Sequence, residues 1–201
     1  MTRRTWLGLP LFMAIIAGTS ACGDHGTNPT SNNGLLSGQV FEFSTQKPVA
    51  GTALVFRANG DQFMATTDAN GMYTVTLPAV IPPPAYEVTA DGVYIGYLRP
   101  IGRARGDLLV DHAGCVARYG VISDVDSGTP LAGATVALRT KTTVTGADGW
   151  YRLDLGCPDP DALDFGTTFI YVTRANYADA SAVAGRGVQH VVRDDIQIRR
   201  K

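Results

Sequence analysis

Lys47-Pro48-Val49-Ala50-Gly51-Thr52-Ala53-Leu54 returns as Thr129-Pro130-Leu131-Ala132-Gly133-Ala134-Thr135-Val136, an offset of 82 residues. Thr67-Asp68-Ala69-Asn70-Gly71-Met72-Tyr73 returns as Thr145-Gly146-Ala147-Asp148-Gly149-Trp150-Tyr151, an offset of 78. Blocks that keep their order and differ in spacing by one short loop mark an internal repeat, and a repeat fixes the domain count before any other argument. Gly38-Gln39-Val40 and Gly120-Val121-Ile122 share the first offset, and Tyr86-Glu87-Val88-Thr89 matches Ile170-Tyr171-Val172-Thr173 after Pro82-Pro83-Pro84. Two domains are expected, over residues 35–111 and 115–201.

Each copy has the period of a strand. Leu54 and Phe56 alternate with Val55 and Arg57, and Tyr73, Val75 and Leu77 alternate with Met72, Thr74 and Thr76, which sends one apolar set to one face. The second copy repeats this in Val136 and Leu138, then in Tyr151, Leu153 and Leu155. Asn70-Gly71 and Asp148-Gly149 lie between strand-like runs and are expected to be hairpin turns. The composition agrees: 23 Gly and 11 Pro in 201 residues, with 45% hydrophobic residues, supply a core and many turns but few long helices. An all-β fold follows, a sandwich in each copy. The Ala-rich stretch 178–184 is the one place that could hold a short helix.

Ahead of the repeat, Met1 to Arg4 carry two positive charges, Leu7 to Ile16 are apolar, and small residues lead to Cys22. This is the three-part pattern of a signal peptide over residues 1–21, too short for a permanent bilayer span. Thr19-Ser20-Ala21-Cys22 resembles the lipobox of bacterial lipoproteins, which implies lipidation of Cys22, export, and anchoring to a bacterial outer membrane or cell surface. Ordinary secretion is the plainer alternative. Residues 22–34 hold no large apolar side chain and read as a flexible tether. Seventeen Lys and Arg balance eighteen Asp and Glu, so the chain lacks the basic excess of a nucleic-acid binder.

The succession Gly-x-Val, Pro-Val/Leu-Ala-Gly-x-x-Val/Leu, then Thr-x-x-Asn/Asp-Gly-x-Tyr resembles the carboxypeptidase regulatory-like family, which is similar to transthyretin. The resemblance covers both copies and implies two tandem seven-stranded prealbumin-like β-sandwiches. Its members serve as accessory, starch-binding-like or spacer modules, and it carries no catalytic motif onto these residues.

The candidates for chemistry are few. His25, His112 and His190 are too scattered for a shared metal. Neither a Gly-x-Ser-x-Gly elbow nor a His-Glu-x-x-His motif occurs, so an enzyme is not expected, and neither is a cofactor. Asp124-Val125-Asp126-Ser127-Gly128 imitates the start of a calcium loop but has Thr135 where a bidentate Glu belongs, so a β-turn is expected. Asp159, Asp161 and Asp164 crowd one loop and are a candidate calcium cluster, with solvated acids as the simpler reading. Arg105-Gly106-Asp107 spells an integrin-recognition tripeptide, read as a chance match. If Val40 points inward, Phe41 and Phe43 point outward, joined by Met72, and by Tyr94 and Tyr97. That apolar patch fits an envelope protein or a polysaccharide, or else the docking of one copy on the other. A surface-anchored spacer or protein-interaction module is therefore expected, with carbohydrate binding through exposed aromatics as the alternative.

Three cysteines in an exported chain leave one over if two are bonded. Cys22 accounts for the odd one. Cys115 and Cys157 map back onto Asn33 and Ala79 in the first copy, so both are present in one copy and both absent from the other. Their joint presence fits a disulfide, the alternative being two separate buried thiols.

Overall fold

The computed structural model describes residues 34–79, 83–100, 106–157, 169–183 and 191–201. Among these the regular elements are fifteen β-strands. The first copy contributes β1 (Leu35–Glu42), β2 (Ala53–Ala58), β3 (Asp61–Thr66), β4 (Met72–Thr76), β5 (Tyr86–Ala90), β6 (Val93–Leu98) and β7 (Leu108–Val110). The second contributes β8 (Val116–Asp124), β9 (Thr135–Leu138), β10 (Lys141–Val144), β11 (Trp150–Gly156), β12 (Phe169–Thr173), β13 (Ala180–Val183), β14 (Val191–Asp194) and β15 (Ile196–Ile198). The all-β expectation holds.

The first copy pairs β4-β1-β7 in one layer and β3-β2-β5-β6 in another. Leu54, Phe56, Tyr73 and Val75 close the core between them, with Val40 and Leu108, as the period of two requires. The second copy matches this plan with eight strands in place of the expected seven, because two short strands, β14 and β15, pair in succession along β8. β8 pairs with β11 on one side and with β14 and then β15 on the other, and β10-β9-β12-β13 forms the opposing layer over Val136, Leu138, Tyr151 and Leu153.

The repeated residues turn out to be the frame of this fold. Thr67 Oγ1 accepts from the Thr52 amide and donates to the Val49 carbonyl, both at 2.8 Å. Thr145 does the same with Ala134 at 2.8 Å and Leu131 at 2.6 Å. Tyr73 donates its hydroxyl to the Gly106 carbonyl, and Tyr151 donates to Asp194. Those carbonyls lie against Gly38 and Gly120, where a Cβ would come within 2.4 and 2.3 Å of them. Each Gly-x-Val glycine therefore makes room for a crossing chain, and each motif Tyr ties that chain down.

Two local expectations need correction. Asp68 to Gly71 does form a turn, with Gly71 at φ +74, but β3 and β4 belong to different layers, so it is a corner and not a hairpin. Gly146 to Gly149 is the same corner in the second copy. Tight hairpins lie elsewhere: at Asn59-Gly60 and Asp91-Gly92, where positive φ at both central residues suits the twist of paired strands, and at Arg139-Thr140 between β9 and β10. The described part of the Ala-rich stretch, 178–183, holds β13 and not a helix, because pairing with β12 satisfies its backbone and overrides alanine's helical preference. The disulfide between Cys115 and Cys157 is formed and joins the entry of β8 to the end of β11.

Candidate functional site

Among the described residues two surfaces stand out beyond the cores: the joint between the copies, and the outward face of β10-β9-β12-β13. The joint begins with the alternation in β1. Val40 points into the first core, so Phe41 faces the other way, paired in register with Leu109 of β7. That face meets Ala117, Tyr119, Val191 and Trp150 of the second copy in one apolar cluster with Phe43. Phe43 is only 5% exposed and Phe41 half-buried, so of the readings this patch allowed, these two rings serve the docking of one copy on the other. Met72 is half-buried on β4, while Tyr94 and Tyr97 pair edge-to-face on β6 with ring centres 5.8 Å apart. The Arg152 guanidinium lies 4.1 Å from the centre of the Phe43 ring, and the Leu109 amide donates to the Tyr119 hydroxyl at 2.8 Å. Burial pushes the Tyr119 phenol well above its ordinary pKa, so the hydroxyl stays neutral and available as a partner.

The backbone crosses the joint as well. β14 runs parallel to β8 of its own copy and parallel to β6 of the other, so one sheet continues from β11 across to β3. The crossing needs Gly96, which sits at φ +126 opposite Arg193 and whose missing Cβ would fall 2.2 Å from the Arg193 carbonyl oxygen. Arg193 itself is buried. Its Nε donates to Asp195 Oδ1 at 3.0 Å and its Nη2 to Oδ2 at 3.2 Å, while Nη1 reaches the Asp107 carbonyl of the first copy. Asp195 also accepts the Arg99 amide at 2.8 Å and the Val121 amide at 2.9 Å. A carboxylate with four donors and a guanidinium with a bidentate partner is the form in which a buried pair is tolerated. Here the four donors come from both copies.

Asp194, next in the chain, is treated differently. Its Oδ2 is buried without a hydrogen bond, and Arg118 Nε stands 3.8 Å away. Burial raises its carboxyl pKa to about 6, a rise that Arg118 opposes and Asp195 supports. A carboxyl raised in the fold costs stability when ionised and returns it as pH falls through the raised value. Lowering pH from about 7.5 to 5 should therefore add about 1–2 kcal/mol from this group. Asp194→Asn is expected to remove that increment, read as the difference between wild-type and variant urea midpoints at the two pH values. The exposed His112 titrates nearby, its pKa raised chiefly by the hydrogen bond to Glu42 at 2.5 Å. Its contribution is full at low pH and fades as pH rises through the raised value, and it is common to both proteins, so the difference cancels it.

The remaining sequence candidates separate clearly. Asp124 Oδ1 accepts the Asp126 amide at 2.9 Å and the Ser127 amide at 2.8 Å, and Oδ2 accepts the Tyr177 hydroxyl at 3.0 Å. These donors, the Ser127 amide first, hold its carboxyl below its ordinary pKa despite burial. The carboxylate that imitates a calcium ligand is thus the cap of a turn. Cys22, His25, Arg105, Asp159, Asp161, Asp164 and His190 lie outside the described residues.

The second surface is the outward face of β10-β9-β12-β13. Ile170 and Val172 point into the core, so Phe169, Tyr171 and Thr173 point away from it. Phe169 and Tyr171 are 38% and 55% exposed with ring centres 6.3 Å apart. Val183 pairs with Phe169 across to β13, and Thr142, Ala137, Tyr171 and Ser181 form one row across the sheet. The signal was in the sequence: the match of Tyr86 with Ile170 puts Tyr171 where the first copy has the outward Glu87.

No family model matches the chain, and a search of curated proteins finds no match. Among solved structures it is similar to the Bacillus anthracis TIE protein, at 15% identity and a TM-score of 0.31 over 83% of this chain. It is similar to a streptococcal ancillary pilin at 14% and 0.29 over 86%, and to the shaft pilin SpaA from Lactobacillus rhamnosus GG at 13% and 0.29 over 83%. The chain spans 34% of the first of these, 64% of the second and 97% of the third.

Proposed function

We propose that the mature chain is a non-catalytic envelope module, two tandem prealbumin-like sandwiches of the carboxypeptidase regulatory-like kind, with seven strands in the first copy and eight in the second, held as one rigid spacer or protein-interaction unit. In this reading residues 1–21 are removed, Cys22 is lipidated, residues 22–34 tether the body to a bacterial outer membrane or cell surface, and the domains cover 35–111 and 115–201. The observation that supports it is the joint. A flexible pair of binding domains needs only a linker, whereas here a shared strand, an apolar cluster and a buried ion pair join the copies. Interfaces with a dry apolar centre and a continuous hydrogen-bond ladder resist relative motion. The residues that carry the family resemblance, Thr67, Thr145, Tyr73 and Tyr151, are consumed by structural hydrogen bonds, which leaves the surface to do the work.

The test is a distance distribution between spin labels at the exposed positions Gln62 and Thr142, one in each copy, measured by pulsed electron resonance on the mature chain. A single narrow distribution is expected. A broad one, as from two bodies on a free linker, would refute the rigid spacer.

A further inference from the structure

We propose that the second copy binds a phosphate monoester in the pocket lined by Arg174, Arg200 and Tyr177. The pocket lies where the turn after β12 meets the segment after β15, and its cavity is about 360 Å³, within the usual size of a ligand site. Tyr177 anchors it. That residue is 4% exposed and donates its hydroxyl to Asp124 Oδ2 at 3.0 Å, so its ring is fixed. The Arg174 guanidinium stands 4.8 Å from the ring centre and that of Arg200 5.9 Å, both within cation–π range. Arg174 donates Nε to the Ala132 carbonyl at 2.9 Å, which leaves its two Nη groups without a hydrogen-bond partner among the described residues. The walls are laced by backbone bonds, from the Ala178 amide to the Arg199 carbonyl at 2.8 Å and from the Lys201 amide to the Asn176 carbonyl at 3.0 Å.

Comparison of the copies shows why these cations are open. The registers of β7 on β1 and of β15 on β8 set Arg200 where the first copy has His112, and the offset of the repeat sets Asp124 where it has Glu42. In the first copy His112 bonds to Glu42, so the cation is answered within the fold. In the second, Asp124 is taken by the Tyr177 hydroxyl and by the Asp126 and Ser127 amides, and Arg200 lines the pocket instead. Arg174 and Tyr177 stand where the first copy has Ala90 and Val93, so the pocket is specific to the second copy. Of the charges around it, Arg199 faces Asp126 at 3.9 Å, Lys201 adds a cation, and the exposed Asp179 opposes them. The segments outside the described residues that adjoin β12 and β13 leave from Phe169 and Val183, at the other end of those strands.

Two guanidiniums held against one ring repel each other, and an anion between them turns that repulsion into attraction. A carboxylate has two oxygens, which a single guanidinium fork satisfies. A phosphate monoester has three free oxygens and up to two charges, enough for both forks, and arginine's planar donors match its geometry.

The inference goes beyond the spacer reading and does not rest on it, since loss of phosphate binding would leave the spin-label result untouched. The experiment follows backbone amide and arginine Nε resonances of the mature chain, carrying Cys22→Ser so that no lipid anchors it. Inorganic phosphate or sn-glycerol 3-phosphate is added against chloride at constant ionic strength. Saturable shifts are expected at Gly133, Asn176 and the Nε of Arg174 and Arg200. Arg200→Gln should weaken binding by at least about tenfold, because one of two charge-assisted donors is lost. Its melting temperature should not change, since the Arg200 side chain is exposed and makes no hydrogen bond among the described residues. Arg199→Gln, the control for general charge, should stay within about twofold of wild type. A second arm floats the same proteins with phosphatidylcholine vesicles, with and without phosphatidic acid. Retention that needs both phosphatidic acid and Arg200 assigns the phosphate to a lipid headgroup, and binding of the soluble phosphates alone assigns it to a free ester. Absence of Arg200-dependent binding in both arms, or an equal loss in Arg199→Gln, would overturn the assignment.

Discussion

Arg193→Ala is expected to lower the unfolding free energy by about 3–5 kcal/mol, the cost of leaving a buried charge without its partner. The side chain is 1% exposed, as is that of Asp195, so water cannot take its place. Three things are lost together: the bidentate pair with Asp195, the bond to the Asp107 carbonyl, and the filling of the joint beside Trp150. Arg193→Lys should recover only part of the loss, because an ammonium cannot hold both carboxylate oxygens and the carbonyl at once. Replacing both charges, as Arg193→Leu/Asp195→Asn, should be milder than Arg193→Ala alone, since no lone charge is then left inside. Urea unfolding of the three variants at one pH checks the order, and a loss under about 1 kcal/mol for Arg193→Ala would mean that the joint opens to solvent.

Removing the disulfide should cost about as much. Cys115 and Cys157 are 42 residues apart, and closing a loop of that length stabilises by about 4 kcal/mol on the chain-entropy account. That is a large share of the 5–15 kcal/mol typical of a whole domain. The bond also sits where it matters. Cys115 is buried within the cluster that joins the copies, so loosening the entry of β8 loosens the joint as well. Cys115→Ser/Cys157→Ser should melt well below wild type, with the spin-label distribution broadened at temperatures where wild type stays narrow. Intact mass after alkylation without reductant provides the direct check, since two added labels on freshly exported protein would show the thiols unbonded.

Much of the architecture was legible because it is local. Alternation in Leu54–Phe56 and in Tyr73–Leu77 depends only on the pleat, and the constant offset between copies carried each assignment from one to the other. The joint was legible only in part, for a physical reason. Val191-Val192-Arg193-Asp194-Asp195 reads as a strand whose charges face water, and nothing in that stretch announces a second body against the charged side. Phe41 and Phe43 carried more, since period two turns them outward and so allows the docking of one copy on the other, though it does not decide between that and an outside partner. Gly96 gave no signal either, since a lone glycine in a strand says only that something comes close. Phe169 and Tyr171 are a different case. Their outward direction follows from the repeat, which sets them opposite Ala85 and Glu87 of the first copy.

The strand shared by the two copies also sets a timetable. β14 lies near the end of the chain, and β6, the edge it covers, belongs to the first copy. A chain made and threaded from its N-terminus can fold most of the first copy while β14 is still to come. During that interval β6 is a bare row of amides and carbonyls, open to any passing strand. Pairing so distant in sequence is slow, because the loop must close before the contacts return anything. The vulnerable stage in the life of this protein is therefore its synthesis. Loss of the last eleven residues would prolong that stage indefinitely, yielding a first copy that is nearly whole and inclined to aggregate.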